Sequence, residues 1–217
     1  MKINQFLSRY ADVLMNDTND HTFENLKFLT GGTTSARIAK VLNFAVSCLD
    51  DSECYLEVGV FNGHTLISAN YQNFKRCIGV DNFSQIFGLD PEAVKAKCKH
   101  NLMMYSNDVL LIESDYKQVT PEVVGKPIGV HFVDGDHSYQ AVKEGIEWVK
   151  PLLSKDAVIL FDDAGYKEVS RAILEVAQEP EFELMFLQKP LFVGDTVYPV
   201  GDHVLHQGLA MLRYSQP

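Results

Sequence analysis

Two short apolar runs that end in acidic residues constrain this chain more than any other feature. One covers residues 131–133 and the other covers residues 158–161. Short runs rich in Val, Ile and Phe that stop at turn residues are typical of buried strands. Because ligands of a parallel sheet lie just beyond the carboxyl ends of its strands, the acids after both runs are expected at one edge of one sheet. These acids are Asp134, Asp136, Asp162 and Asp163.

Such a group of carboxylates indicates a metal site. Carboxylates that lie close together repel one another and are costly to remove from water. A hard divalent cation offsets both effects, and Mg²⁺ prefers carboxylate oxygens. The alternative is that the acids cap the helices that follow, because Asp is a favoured N-cap. A helix N-cap needs only one acid, whereas two acids follow each of these strands. The pattern therefore favours a metal site over helix capping.

From residue 54 onward, strand patterns alternate with helix patterns. Strands are predicted at 55–58, 76–81, 109–112, 128–133, 157–161, 182–187 and 209–214. Alternation of this kind predicts an α/β fold with a doubly wound sheet and helices on both of its faces. The last two strands lack a helix-length crossover, which predicts that they pair antiparallel. Residues 188–207 between them are predicted to form a loop or a hairpin insertion.

The first part of the chain carries helical patterns only. Helices are predicted over residues 3–14, 23–29 and 38–49. They could form a lid or a dimer surface, or they could simply cover one face of the sheet. We therefore divide the chain into an N-terminal helical part, 1–52, and a sheet domain, 53–217.

Composition excludes several classes of partner. The formal net charge of -10 argues against a general nucleic-acid binder, which needs basic surface to neutralise phosphates. The sequence offers no apolar run long enough to span a bilayer and no signal-peptide pattern at its start. The four cysteines show neither CxxC pairing nor zinc-finger spacing. Buried free thiols and a cytoplasmic location are expected, with no nucleic-acid or membrane partner.

A glycine-containing turn after the first strand points to a bound cofactor. It reads Glu57-x-Gly59-x-x-x-Gly63-x-Thr65. Gly59 permits a tight turn, and Gly63 lets the start of the next helix approach a ligand. The spacing differs from the dinucleotide fingerprint GxGxxG, which disfavours an NAD-dependent oxidoreductase. Asp81 ends the second strand roughly 20 residues later, where nucleotide-binding folds place an acid that binds ribose.

Other polar residues allow two interpretations. Ser114 and Asp115 end the third strand and could border an adenine ring or form a turn. His131 lies within a strand and is expected to be a core residue. His203 and His206 fall in the late insertion, where they could touch a substrate or occupy plain surface positions.

Four segments together resemble class I S-adenosylmethionine-dependent methyltransferases. They read LEVGVFNGHT, GVD, FVDGDHSY and ILFDDAG. The chain looks most like the metal-dependent O-methyltransferases that modify sugar hydroxyls of macrolide and aminocoumarin antibiotics, and catechol O-methyltransferase is a more distant relative. The resemblance is close from Cys54 to Tyr166. It implies a Rossmann-like, seven-stranded doubly wound sheet with an antiparallel last strand, preceded by N-terminal helices.

The resemblance also implies roles for individual residues. Cofactor-binding roles fall on Glu57, Gly59, Gly63, Thr65, Asp81, Ser114, Asp115 and Asp134. Metal-binding roles fall on Asp134, Asp162 and Asp163. Asp136 is the implied general base. In the catechol branch a lysine stands at the position of His137, and this difference disfavours a catechol as the acceptor. His137 is then a second candidate for the general base. It could also contact the cofactor or orient Asp136.

We therefore expect an enzyme that transfers a methyl group to a hydroxyl of a small molecule, with a sugar as the expected acceptor. Its expected cofactors are S-adenosylmethionine and Mg²⁺ or a similar cation, and a homodimer is a possible assembly. A divalent ion lowers the pKa of the acceptor hydroxyl, and a carboxylate or imidazole then takes its proton. Holding the hydroxyl oxygen in line with the methyl group supplies much of the remaining rate. A catechol or other vicinal-diol enzyme and a non-catalytic S-adenosylmethionine-binding protein are the alternatives.

Overall fold

The computed structural model of the chain describes residues 1–15, 21–84, 88–188, 191–193, 196–198 and 207–216. Its strands are β1 (Cys54–Val58), β2 (Arg76–Asp81), β3 (Val109–Glu113), β4 (Ile128–Val133), β5 (Leu153–Asp162), β6 (Phe182–Gln188), β7 (Leu191–Val193), β8 (Thr196–Tyr198) and β9 (Leu209–Ser215). Seven of them form one sheet in the order β3-β2-β1-β4-β5-β9-β6. The seven predicted strands are thus confirmed, and β7 and β8 form an antiparallel hairpin within the predicted insertion.

The direction of the strands also agrees with the prediction. From β3 to β5 all neighbours are parallel, whereas β9 pairs antiparallel with both β5 and β6. The strand order reverses at β1, which lies between β2 and β4. In a doubly wound sheet such a switch point opens a crevice at the carboxyl ends of the two strands that flank it. The crevice between β1 and β4 is therefore the expected position of a ligand.

The helices are α1 (Ile3–Leu7), α2 (Tyr10–Met15), α3 (Thr22–Thr30), α4 (Ala36–Ser47), α5 (His64–Asn70), α6 (Pro91–Tyr105), α7 (Pro121–Val124), α8 (Tyr139–Val149) and α9 (Lys167–Val176). The single helix predicted over residues 3–14 was wrong, because the structure has α1 and α2 there. Ser8 donates its hydroxyl to the carbonyl of Gln5, and the Arg9 amide bonds back to Phe6 instead of continuing the helical ladder. Serine competes with helical hydrogen bonds in this way, while the apolar spacing runs on unchanged.

The sheet separates two hydrophobic clusters. Residues of α1–α6 share one cluster with Tyr55, Phe132 and Leu160, and residues of α8 and α9 share the other with Leu56 and Ile159. Neighbouring strand residues point to opposite faces, which gives this alternation. The N-terminal helices thus cover one face of the sheet. The division of the chain at residue 52 stays a prediction.

Two expectations about composition can be compared with the structure. All four cysteines are buried and form no disulfide. Among the helices in the described parts of the chain, none is both long and apolar enough to cross a membrane. His203 and His206, expected to lie near a substrate or on the surface, fall outside the described residues.

Candidate active site

The glycine turn after β1 forms one wall of the crevice at the switch point. Gly59 has a φ of 92°, and a Cβ at this position would overlap the backbone carbonyl of Asp134. Two hydrogen bonds hold this close approach, from the Gly59 amide to Val80 at 3.0 Å and from the Asp134 amide to Val58 at 2.9 Å. A residue without a side chain is therefore required at Gly59, because only then can the turn rest against the end of β4.

Asp81 holds the same turn from the neighbouring strand. Its Oδ2 accepts from the amides of Val60 and Phe61 at 2.8 and 2.9 Å, and its Oδ1 accepts from the Phe83 amide at 2.7 Å. Phe61 and Phe83 both have positive φ, a conformation that costs energy in a bulky residue. The carboxylate of Asp81 thus stabilises a strained turn, and its predicted role toward a ribose would be additional to this one.

Beneath the turn, Glu57 and Thr65 form a buried polar group. Glu57 accepts from the Tyr55 hydroxyl at 2.6 Å and from the Thr65 hydroxyl at 3.0 Å, and it is fully buried. Burial raises the pKa of Glu57 to about 8, although both hydroxyl donors favour the ionised form. The two residues tie β1 to the first turn of α5, so they shape the crevice from below.

Ser114 and Asp115 take part in a turn at the end of β3. Asp115 caps a short 3₁₀ turn by accepting from the Lys117 amide at 2.9 Å, and the Ser114 hydroxyl lies 3.0 Å from the Gln118 amide oxygen. One of the two roles considered for them, the turn role, is therefore present. Their role near an adenine stays a prediction.

The acidic ends of β4 and β5 meet as the strand pairing requires. Val133 pairs with Phe161, so Asp134 and Asp162 follow on neighbouring strands. Among the described residues, Asp134, His137 and Asp163 bring one donor atom each within 4.8 Å of one another. The structure therefore brings together two of the three predicted metal ligands and one predicted base.

The surroundings of Asp134 disfavour the ionised form of its side chain. Burial first, and then the charges of Asp162 and Asp163, raise the pKa of Asp134 well above its ordinary value. Asp163 is buried and has a φ of 55°, a left-handed conformation that Asp tolerates better than most residues. Strain and repulsion that persist in one small region are typical of a functional site.

Asp162 has a different environment from Asp163. Its Oδ2 accepts from the Thr34 hydroxyl at 3.1 Å and its Oδ1 accepts from the Asp163 amide at 2.9 Å. It does not belong to the group of three donor atoms within 4.8 Å. Asp162 thus connects the N-terminal part of the chain to the end of β5, and its predicted role as a metal ligand stays a prediction.

The two candidate bases lie side by side on the loop after β4. Asp136 is exposed, and its Oδ1 accepts from the Ser138 amide at 2.8 Å. The Nε2 atom of His137 lies 3.1 Å from Oδ2 of Asp163, and the side chain is 32% exposed. Tyr166 stacks on His137 with a centroid distance of 5.4 Å and an interplanar angle of 6°. No pattern in the sequence marks Tyr166 as part of a site.

The loop between α3 and α4 was also missed as part of the site. Lys27 donates to the carbonyl of Thr33 at 2.9 Å, Asn62 of the glycine turn donates to Gly31 at 2.9 Å, and Thr34 reaches Asp162. Desolvation lowers the pKa of Lys27, while the negative charge of Asp162 acts in the opposite direction. This loop separates the helices predicted at 23–29 and 38–49, but nothing in the sequence indicates the contact between Thr34 and Asp162, which lies 128 positions further along the chain.

Comparisons with known proteins agree with this geometry. The sequence family described as "Methyltransferase domain" matches residues 56–164. Uncharacterized protein R132 of Acanthamoeba polyphaga mimivirus is 28% identical over 124 residues, which is 56% of this chain and 56% of that protein. The chain thus spans little more than half of the length of this relative.

Two solved structures share the fold. The O-methyltransferase from Bacillus cereus, in complex with SAH, superposes with a TM-score of 0.62 at 18% identity over 98% of this chain and 97% of that chain. CalS11, a TDP-rhamnose 3'-O-methyltransferase of calicheamicin biosynthesis, does so with a TM-score of 0.51 at 18% identity over 97% and 93%. At 18% sequence identity, these two comparisons show a shared fold only.

The family match extends from β1 to the turn after β5, and so includes the glycine turn and both acid-ended strands. Because it covers half of the chain, including the glycine turn and the acidic ends of β4 and β5, the chain belongs to the family of methyltransferase domains.

Proposed function

We propose that the chain is an S-adenosylmethionine-dependent O-methyltransferase that acts on a hydroxyl group of a small molecule. The observation that carries the proposal is the group of Asp134, His137 and Asp163 beside the turn at Gly59. A hydroxyl bound at the group would face a cofactor bound along the turn. Further support comes from the family and from the fold of the Bacillus cereus O-methyltransferase, which binds SAH.

The cofactor would lie along the carboxyl ends of β1, β2 and β3. Gly59 presents no side chain to the crevice, Asp81 ends β2, and Asp115 lies two residues beyond the end of β3. The crevice therefore fits an extended molecule with a ribose near the middle, as the resemblance implies. When bound, S-adenosylmethionine supplies a methyl group on a positively charged sulfonium.

A divalent cation fits the donor group at the ends of β4 and β5. The raised pKa of Asp134 reflects burial and nearby negative charge, and a cation offsets both. Such an ion lowers the pKa of a bound hydroxyl and fixes its position. Asp134 and Asp163 would hold the ion, with Asp162 as the third ligand that the resemblance implies.

The chain's own residues would move the proton. Asp136 and His137 lie on the loop at the rim of the crevice, and either could accept the proton of the acceptor hydroxyl. A sugar is the acceptor that we propose first, because CalS11 acts on TDP-rhamnose and because His137 replaces the lysine of the catechol branch. A vicinal diol of another kind is the second candidate.

Location and assembly belong to the same proposal. Buried cysteines without disulfides support a cytoplasmic location. Phe28 and Leu29 of α3 are 87% and 51% exposed, which supports a homodimer that covers them.

A methyl-transfer screen tests the proposal. We expect transfer from labelled S-adenosylmethionine to a hydroxylated sugar or phenol, abolished by a chelator and restored by Mg²⁺. The Asp163→Asn variant keeps the shape of the side chain, and we expect it to lose at least about 100-fold in turnover while its affinity for SAH changes little. Asp51→Asn, which alters an exposed carboxylate, is the matched control.

Other outcomes would favour the alternatives. A protein that binds S-adenosylmethionine but methylates no compound in the screen, with or without Mg²⁺, would favour a non-catalytic binding protein. A thermal shift with NAD and none with S-adenosylmethionine would overturn the proposal.

A further inference from the structure

The contact between His137 and Asp163 lacks the geometry of a hydrogen bond. Nε2 of His137 is buried, lies 3.1 Å from Oδ2 of Asp163 and has no hydrogen-bond partner among the described residues. A neutral imidazole nitrogen and a carboxylate oxygen both carry lone pairs, so their close approach is repulsive unless a proton or a cation lies between them.

The separation of the two atoms suits a shared cation. Two ligands about 2.1 Å from one ion, at right angles to each other, lie about 3 Å apart. The donor atom of Asp134 lies within 4.8 Å of both, as expected for a third ligand of the same ion. Asp134 and Asp163 lie at the ends of the paired strands β4 and β5, and His137 lies on the loop that follows β4.

Tyr166 fixes the plane of the imidazole ring. The two rings are nearly parallel, at 6°, and Tyr166 is itself held by its amide, which donates to the carbonyl of Asp163 at 3.0 Å. The turn that carries Asp163 and Tyr166 is anchored to the C-terminal part of the chain, since the Gly165 amide donates to the Gln207 carbonyl at 2.7 Å. The orientation of Nε2 toward Asp163 is thus built into the turn.

We propose that His137 is a nitrogen ligand of the metal site, and that the site therefore prefers Mn²⁺ or a similar transition metal to Mg²⁺. This inference rests on the proposed function, which places a cation at this group. Imidazole is a common ligand of first-row transition metals, whereas Mg²⁺ is held by oxygen atoms. A nitrogen bound to a metal cannot accept a proton, so Asp136 is left as the general base.

Binding of Mn²⁺ alone tests the inference without any acceptor. The chelator-treated full chain is titrated with Mn²⁺, and free Mn²⁺ is measured by electron paramagnetic resonance. Spin-echo modulation of the bound ion then reports a directly coordinated nitrogen. We expect one bound Mn²⁺ per chain, a modulation from imidazole nitrogen, and at least about tenfold weaker competition by Mg²⁺.

Variants assign the nitrogen to a residue. His137→Gln should lose the modulation and most of the preference for Mn²⁺, whereas His100→Gln, which alters an exposed histidine of α6, should keep both. If His137→Gln does not fold, labelling the wild type with ¹⁵N-histidine keeps the test decisive, because the modulation must then change from ¹⁴N to ¹⁵N.

The outcomes separate this inference from the proposed function. Bound Mn²⁺ without nitrogen modulation, or with modulation that survives in His137→Gln, would overturn the role of His137 and leave the metal site in place. Failure of the wild type to bind Mn²⁺ or Mg²⁺ would remove the metal from the proposed function and this inference with it.

Discussion

At the scale of single residues, the crevice depends on a glycine that the sequence identified for a partly different reason. Gly59 was expected to bind a cofactor. In the structure it also allows the turn after β1 to touch the backbone of Asp134. The packing role requires that Gly59 have no side chain, and the predicted cofactor-binding role would require the same.

Substitution of this glycine should therefore be unusually costly. Gly59→Ala would place a Cβ against the Asp134 carbonyl at a φ of 92°, and we expect a loss of more than about 3 kcal/mol in the free energy of unfolding. Gly145→Ala is the control, because α8 leaves open space at Gly145. That variant should be stabilised by up to about 1 kcal/mol, since Ala favours helix more than Gly. Urea denaturation measures both, and equal effects would contradict the packing argument.

Tyr166 is a residue that no pattern in the sequence marks. An aromatic pair contributes about 0.5–1.5 kcal/mol beyond its buried area, so Tyr166→Leu should weaken Mn²⁺ binding by about 2- to 10-fold. Tyr166→Phe keeps the ring and should bind Mn²⁺ as the wild type does. Titration followed by electron paramagnetic resonance checks both variants. If the Phe variant loses as much affinity as the Leu variant, the hydroxyl and not the stacked ring is responsible.

At the scale of elements, the loop between α3 and α4 links the N-terminal helices to the strand ends. Thr34 is buried and donates to Asp162, and Asn62 joins the same loop to the glycine turn. The N-terminal helices therefore do more than cover one face of the sheet, because their connecting loop contacts both sides of the crevice.

Removal of the Thr34 hydroxyl tests this link. A hydrogen bond to a charged group contributes about 1.5–3 kcal/mol, so Thr34→Val, which keeps the shape, should lower the free energy of unfolding by about that amount. Thr34→Ser keeps the hydroxyl and should retain most of the stability. The two variants are compared by thermal and urea denaturation. A Val variant as stable as the Ser variant would show that the contact with Asp162 contributes little.

Much of the fold could be predicted because its signals are local. Apolar runs of strand length and caps such as Asp90 followed by Pro91 depend on neighbouring residues only. The antiparallel pairing of β9 with β6 was predicted from the missing crossover, but the insertion of β9 between β5 and β6 was not, since no local pattern states that β9 also pairs with β5. The contact of Thr34 with Asp162 and the ring stack of Tyr166 depend on packing between distant segments and on side-chain orientation, which periodicity does not report.

At the scale of the whole molecule, buried ionisable groups link stability to pH. Burial lowers the pKa of His64 and of His131 to about 4, and burial raises the pKa of Glu57 to about 8. Burial and nearby carboxylates raise the pKa of Asp134 in the same direction as that of Glu57. The histidines and the acids therefore change the free energy of unfolding in opposite directions as pH rises.

The sign of each effect follows from which state binds more protons. Between pH 4 and 6.5 the unfolded chain holds protons on His64 and His131 that the folded chain has lost, so the free energy of unfolding rises with pH. Between pH 4.5 and 8 the folded chain keeps a proton on Glu57 that the unfolded chain has released, so this group lowers the free energy as pH rises. Below pH 6.5 the two histidines act against the two acids Glu57 and Asp134, and above pH 6.5 the histidines no longer contribute.

We therefore expect the free energy of unfolding to fall from pH 6.5 to pH 8 in the metal-free chain. Glu57→Gln keeps a side chain that can bond Tyr55 but has no proton to lose, so the fall of about 1.4 kcal/mol per pH unit that Glu57 causes should disappear. His100→Gln, at an exposed position, should leave the whole profile unchanged. Urea denaturation across pH 4 to 8.5 measures the profile, and a wild type that gains stability steadily from pH 6.5 to 8 would contradict the neutral state of buried Glu57.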